Sequence, residues 1–157
     1  GVGDPNADWL FIGEAPGKDE DAQGEPFVGR AGRLLNEMIF SIDLSREKIF
    51  IANILKCRPP NNRDPKASEV DQCFHYLEQQ VQQIDPKIII AVGKVAAQNL
   101  LGTDQTMSQL RGRVHYFGAE KIPLLVFYHP AYLLRSPSQK PKAWQDLTLA
   151  KQVISKL

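Results

Sequence analysis

Two cysteines, Cys57 and Cys73, are all the thiols this chain has in 157 residues. That excludes a disulfide framework, and in a reducing compartment a lone bridge between them is disfavoured. Long apolar runs are also missing. None approaches the roughly 20 residues needed to span a bilayer, so no membrane partner is expected. No signal peptide stands ahead of the first apolar run, which gives a cytoplasmic reading. The chain opens at Gly-Val-Gly without Met, so its natural beginning is expected to lie upstream. Neither sign of charge dominates, with 19 Lys and Arg against 18 Asp and Glu. A G-x-x-x-x-G-K-[ST] phosphate loop and an in-register G-x-G-x-x-G are both absent, which leaves nucleotide-phosphate binding without a motif.

What is present is ordinary globular composition, 43% hydrophobic and 24% charged. The length suits one domain over 1–157 with a sizeable core. Four short apolar runs, Trp9–Ile12, Ile49–Ile54, Ile88–Val92 and Leu124–Phe127, are too short for helices and rich in β-branched or aromatic residues. Between them lie helical patterns. Ala31–Ile42 gathers Leu34, Leu35, Met38, Ile39 and Ile42 on one side, and Ser68–Ile84 spaces Val70, Phe74, Leu77, Val81 and Ile84 at helical steps before Asp85-Pro86 stops it. Further helices are expected from about Lys94 to Leu101, ending at Gly102, and from about Lys142 to Ser155. Such alternation predicts an α/β fold, a three-layer α/β/α sandwich around a four-stranded parallel sheet with right-handed crossovers.

In open parallel sheets, ligands sit at the carboxyl edge, where the strand-to-helix loops gather. Here those loops are Gly13–Gly29, Asn53–Lys66, the turn at Gly93 and His129–Ser138. The first is long for a connection inside a compact domain, which usually signals a functional loop. Gly13, Pro16, Gly17, Gly24 and Pro26 fix its course. Its acids Glu14, Asp19, Glu20 and Asp21, against Lys18 alone, would repel a polyphosphate. Basic residues cluster elsewhere: Lys56, Arg58, Arg63 and Lys66 in mid-chain, and Arg135, Lys140, Lys142, Lys151 and Lys156 near the end against Asp146. Basic patches beside an acidic pocket suit a polyanion gripped at its edges; solvated lysines on helix faces are the alternative.

The segments GEAPGKDEDAQGEPFVGRAGRLL, IANILKCRPPNNRDP and YHPAYLLR, in that order and spacing, resemble the family-4 uracil-DNA glycosylases, the iron–sulfur type. The likeness runs from Asp8 to about Trp144. It implies a uracil-DNA glycosylase-like domain that hydrolyses the N-glycosidic bond of deoxyuridine in DNA, single- or double-stranded, releasing free uracil and starting base-excision repair. It also implies a [4Fe–4S] cluster on four cysteine thiolates. Cys57 and Cys73 match the second pair of ligands. The first pair is absent from this chain, so the cluster is expected to be incomplete here. Without the resemblance, Cys57 and Cys73 would read as two unrelated thiols.

Elementary chemistry agrees with that implication. A glycosylase extrudes the nucleotide and reads the base in a small pocket. Phe27, inside the long loop, offers a flat apolar floor; a core Phe is the alternative. Uracil presents O4 as acceptor and N3–H as donor, which one carboxamide matches and cytosine reverses. Asn53, at the tip of the second strand, is that amide, unless it ties down a neighbouring loop. Negative charge on the leaving uracil collects at O2, where a preset donor lowers the barrier. His129 in Tyr-His-Pro is the candidate and needs no raised pKa. Backbone N–H groups of the Glu14–Ala15–Pro16–Gly17 turn add to it, Pro16 excepted. His75 and His115 read as ordinary residues.

The sugar's oxocarbenium character calls for a carboxylate and an aimed water. Related glycosylases of another class carry an Asp two positions after the first Gly of this turn; here that position is Ala15. Glu14, Glu20 and Asn62 remain, with Glu14 assigned to the chemistry and Glu20 to the pocket wall. Leu133 and Leu134 resemble the wedge that fills the hole left in the duplex; packing beneath the loop is the other option. Arg58, Arg135 and Lys140 would contact phosphates without reading sequence. The expected product is a monomeric enzyme. Its rivals are a catalytically weak or inactive uracil- or DNA-binding relative, and a nucleotide-binding α/β module.

Overall fold

The computed structural model describes residues 2–14, 29–53, 75 and 78–157. Its centre is a six-stranded sheet. In chain order the strands are β1 (Val2–Gly3), β2 (Trp9–Gly13), β3 (Ile49–Asn53), β4 (Ile88–Val92), β5 (His115–Phe117) and β6 (Ile122–Phe127), and across the sheet they run β1-β3-β2-β4-β6-β5. The inner four are mutually parallel, as the alternation predicts. The two outer strands, β1 and β5, pair antiparallel and widen the predicted four-stranded sheet to six. Two- and three-residue strands carry too little alternation to register as apolar runs, and pairing with a neighbour is what defines them.

The helices are α1 (Gly29–Phe40), α2 (Lys94–Leu101), α3 (Met107–Leu110), α4 (Pro130–Arg135) and α5 (Lys140–Ser155), and residues 78–84 are also helical. Because strand side chains alternate between faces, each strand feeds two cores. Trp9, Phe11, Ile49, Ile51, Ile88, Ile90, Leu125 and Phe127 face one side, under Leu35, Met38 and Ile39 of α1, Leu133 of α4, and Ala143, Leu147 and Ala150 of α5. Leu10, Ile12, Ala52, Ile89, Ala91, Leu124 and Val126 face the other, under Val81, Ile84, Ala96, Ala97, Leu100 and Leu110. Each large aliphatic or aromatic side chain so buried contributes about 1.5–3 kcal/mol. This is the α/β/α layering expected from the sequence.

The strand order also fixes where a ligand belongs. From β2 the chain crosses to β3 on one side and next enters β4 on the other. The order therefore reverses between β2 and β4, and the crevice beyond their carboxyl ends is the topological switch point.

Candidate active site

At that edge lies a cleft of about 540 Å³. Glu14 reaches it from the end of β2, Val92 and Gly93 from the end of β4, and Tyr128 and His129 from the end of β6. Lys94 on α2, Thr106 to Ser108 around the start of α3, and Tyr132 and Arg135 on α4 complete the walls.

His129 is the best-defined group. It is the N-cap of α4, with extended backbone (φ −64°, ψ 136°) imposed by the following Pro130, which fills the first helical position. The backbone N–H of Ala131 donates to His129 Nδ1 at 3.0 Å. An accepting Nδ1 carries no proton in the neutral ring, so the proton sits on Nε2, which is thereby set as a donor. Burial lowers the His129 pKa, and the positive charge of Arg135 lowers it further. Capping, burial and a neighbouring cation all select the neutral Nε2–H imidazole.

Gly93, which the sequence marks only as a turn, holds that ring from below. Its backbone stands at φ 94°, ψ 167°, a region essentially reserved for glycine. A Cβ there would lie 3.3 Å from His129 Cβ and 3.4 Å from Cδ2. Its N–H donates to the Phe127 carbonyl at 2.9 Å, so the end of β4 is laced to the strand that delivers the histidine.

In the cleft wall, Tyr128 and Tyr132 stack with centroids 5.0 Å apart and 28° between planes. The α3 wall is fixed by a capping box, in which Thr106 Oγ1 accepts from Gln109 N–H and Gln109 Oε1 accepts from Thr106 N–H. It is anchored again just past α3. Arg111 Nε and a terminal nitrogen each donate at 2.9 Å to the two oxygens of Asp146, which is 2% exposed on α5.

Of the predicted site residues, Glu14 and His129 share the cleft. Asn53 ends β3, in register with Gly13 and half-buried, one strand beyond Glu14 along the same edge. Arg135 is exposed at the cleft and Lys140 begins α5. Leu133 requires a correction. It is wholly buried in the core with α1 and α5, because residues 130 and 133 form the inner face of α4 and residues 131, 132 and 135 the cleft face. An exposed wedge at Leu133 is therefore ruled out. Leu134 is half-buried against the same core. Ala15, Pro16, Gly17, Glu20, Phe27, Arg58, Asn62, Cys57 and Cys73 lie outside the described residues. His75 is exposed, and Nε2 of His115, on β5, lies 2.8 Å from the Leu110 carbonyl at the end of α3.

Comparison with known proteins meets this geometry directly. The model of the uracil DNA glycosylase superfamily matches residues 1–148. A type-4 uracil-DNA glycosylase of Archaeoglobus fulgidus is 46% identical over 152 residues, covering 93% of this chain and 76% of that protein. The chain belongs to the type-4 uracil-DNA glycosylases. Relatives of the same type from Saccharolobus solfataricus (41% identical, 99% of this chain, 75% of that protein) and Thermotoga maritima (39%, 99% and 83%) repeat the match. The family resemblance of the three loop segments thus extends over the whole fold.

A [4Fe–4S] cluster needs four thiolates, and a type-4 glycosylase sequence of these 157 residues supplies two. Among the described residues no group of three or more His, Cys, Asp and Glu side chains is arranged to hold a metal. Cys57 and Cys73 supply two of the four thiolates that a whole cluster takes. No helix among the described residues is long and apolar enough to cross a membrane.

Proposed function

We propose that this protein hydrolyses the C1′–N1 bond of deoxyuridine in DNA, releasing uracil and leaving an abasic site. Membership of the type-4 family supports the reaction. The observation that carries the mechanism is the tautomer of His129: with Nδ1 accepting from Ala131, Nε2–H is aimed as a donor without a proton having to be captured first. As the glycosidic bond breaks, its electron pair passes to the base and concentrates on O2. Nε2–H stabilises that oxyanion, an interaction stronger in the transition state than in the ground state. The Glu14 carboxylate lines the same cleft and offsets the positive charge growing on the sugar. Water then adds at C1′ and loses its proton to solvent or to a nearby carboxylate.

Base reading falls to Asn53, whose carboxamide pairs with O4 and N3–H, over a floor supplied by Phe27. Backbone N–H groups of the turn at Ala15 and Gly17 add to the O2 donors. Glu20 shapes the wall and Asn62 helps place water. Arg58, Arg135 and Lys140 grip phosphates, and Leu134 rests against the disturbed stack. The enzyme acts as a monomeric, single-domain cytoplasmic protein on uracil-containing DNA. Cys57 and Cys73 are two ligands of the family's cluster.

A uracil-bearing single-stranded oligonucleotide, incubated with the protein and then treated with alkali, tests the proposal. Strand scission at the uracil, with free uracil recovered, is expected. Binding without scission would make the chain a binding relative, and triphosphate affinity indifferent to uracil would favour a nucleotide module.

A further inference from the structure

The cleft extends past His129 and Glu14 to Lys94 on α2 and to Tyr132 and Arg135 on α4. Its 540 Å³ falls within the roughly 300–1,000 Å³ of pockets that bind small molecules. Part of its wall has no duty in the chemistry proposed for His129 and Glu14. Tyr128, 6% exposed, is locked in place at the end of β6, and Tyr132 stacks on it as the outer, half-exposed ring. Turning Leu133 into the core is what presents Tyr132 and Arg135 to the cleft. Lys94 and Arg135, both exposed, line the same cavity, and neither is paired with an acid among the described residues. A rigid aromatic step bordered by two cations is the combination that grips a single nucleic-acid strand: ring for base, charge for phosphate.

We propose that this part of the cleft is a subsite for the nucleotide next to the extruded deoxyuridine, its base stacked on Tyr132 and its phosphate held by Lys94 and Arg135. The inference rests on the glycosylase reading and deepens it. The uracil is read by hydrogen bonds, whereas its neighbour is held by stacking, which any base satisfies. The neighbour's binding energy then helps hold the target nucleotide out of the stack and against His129.

The test uses three uracil-containing single strands: one with normal neighbours, one with a tetrahydrofuran abasic residue on the 5′ side of the uracil, and one with it on the 3′ side. Affinity is read by fluorescence anisotropy and excision by kcat and KM, for the native protein and for Tyr132→Ala, Tyr132→Phe and Lys94→Ala. Tyr132→Ala is expected to weaken binding of the normal strand about tenfold, the scale of one lost base–aromatic stack. It should cost nothing on one of the two abasic-flanked strands, to which the native protein already binds correspondingly weakly. Tyr132→Phe, which keeps the ring, recovers most of the loss. Lys94→Ala weakens all three strands alike and lowers the salt slope by about one counterion. The subsite is refuted if Tyr132→Ala is equally harmful on all three strands, or if the native protein binds both abasic-flanked strands as tightly as the normal one. Because anisotropy reads binding whether or not the glycosidic bond is cut, absent uracil release would defeat the glycosylase reading and leave this measurement standing.

Discussion

Adding one methyl group at Gly93 should disable the active site from beneath. At φ 94°, ψ 167° an L side chain is strained by about 1–3 kcal/mol before any contact is counted. The new Cβ would also stand 3.3 Å from His129 Cβ and 3.4 Å from Cδ2, tighter than ordinary van der Waals separation. The ring must give by a few tenths of an ångström, since Pro130 and the Ala131 N–H bond hold the backbone on its other side. A misplacement of 1 Å can cost about 100-fold in rate; a fraction of that shift should cost about tenfold in kcat, with KM nearly unchanged. Single-turnover uracil release with Gly93→Ala measures the rate, and thermal melting measures the strain. The decisive comparison is the double variant with His129→Ala. If Gly93 acts by placing the imidazole, Gly93→Ala should cost nothing further once the imidazole is gone. A lowered melting temperature with unchanged kcat, or a tenfold rate loss that persists in the His129→Ala background, would refute the coupling.

His129→Ala should slow excision about 100-fold or more, the usual loss for one oxyanion donor, and a change confined to binding would remove it from that role. The same residue sets a pH dependence. Its pKa is lowered in the fold, so the native state binds fewer protons than the unfolded chain near and below pH 6.5. The stability associated with the neutral ring is full above that pH and is lost as the pH falls through it. Protonation would also put a hydrogen on Nδ1 against the Ala131 N–H. Both kcat and melting temperature should therefore hold steady from neutral pH upward and decline below 6.5, and an acid limb centred above 6.5 would contradict the burial. Asn53→Ala should abolish uracil excision while sparing affinity for undamaged DNA, as gel shift and uracil release together will show; unchanged turnover would exclude Asn53 from base reading. Arg111→Met leaves the Asp146 carboxyl buried without its partner, a loss of about 3–5 kcal/mol by urea denaturation. A loss under about 1 kcal/mol would mean that the α3 wall is not anchored there.

The parallel core was legible because each inner strand is a dense apolar run and each long helix carries a repeating face. The first edge strand was not, since Val2–Gly3 becomes a strand only by pairing with Ile51 and Phe50. Of the two short helices, α3 carried a readable signal: Thr106 and Gln109 stand at capping-box spacing ahead of Leu110. For α4, Pro after a capping residue was the available sign, in a stretch whose likeness to a DNA-inserting loop suggested exposure instead. His129 is proposed from the chemistry that a glycosylase must perform, but its tautomer is not legible in the sequence, because a proton's place on a ring depends on a backbone N–H two residues on. Gly93 could be suspected as a turn, yet nothing local says what its missing side chain makes room for.

The fate of Leu133 follows from helix geometry. In a helix of six residues, positions 130 and 133 lie on one face and 132 and 135 on another. Once Pro130 and Leu133 are committed to the core beside α1 and α5, the chain cannot also extend Leu133 into DNA without unwinding α4. Unwinding it would displace Ala131, whose N–H donates to His129 Nδ1, so insertion by Leu133 conflicts with the donor role proposed for His129. A DNA-facing side chain from α4 must therefore come from the other face, where Tyr132 already stands over the cleft, or from Leu134 at its margin. Substituting Leu133 should accordingly cost stability at every pH and on every substrate, whereas Tyr132 is the residue whose replacement should depend on what lies next to the uracil.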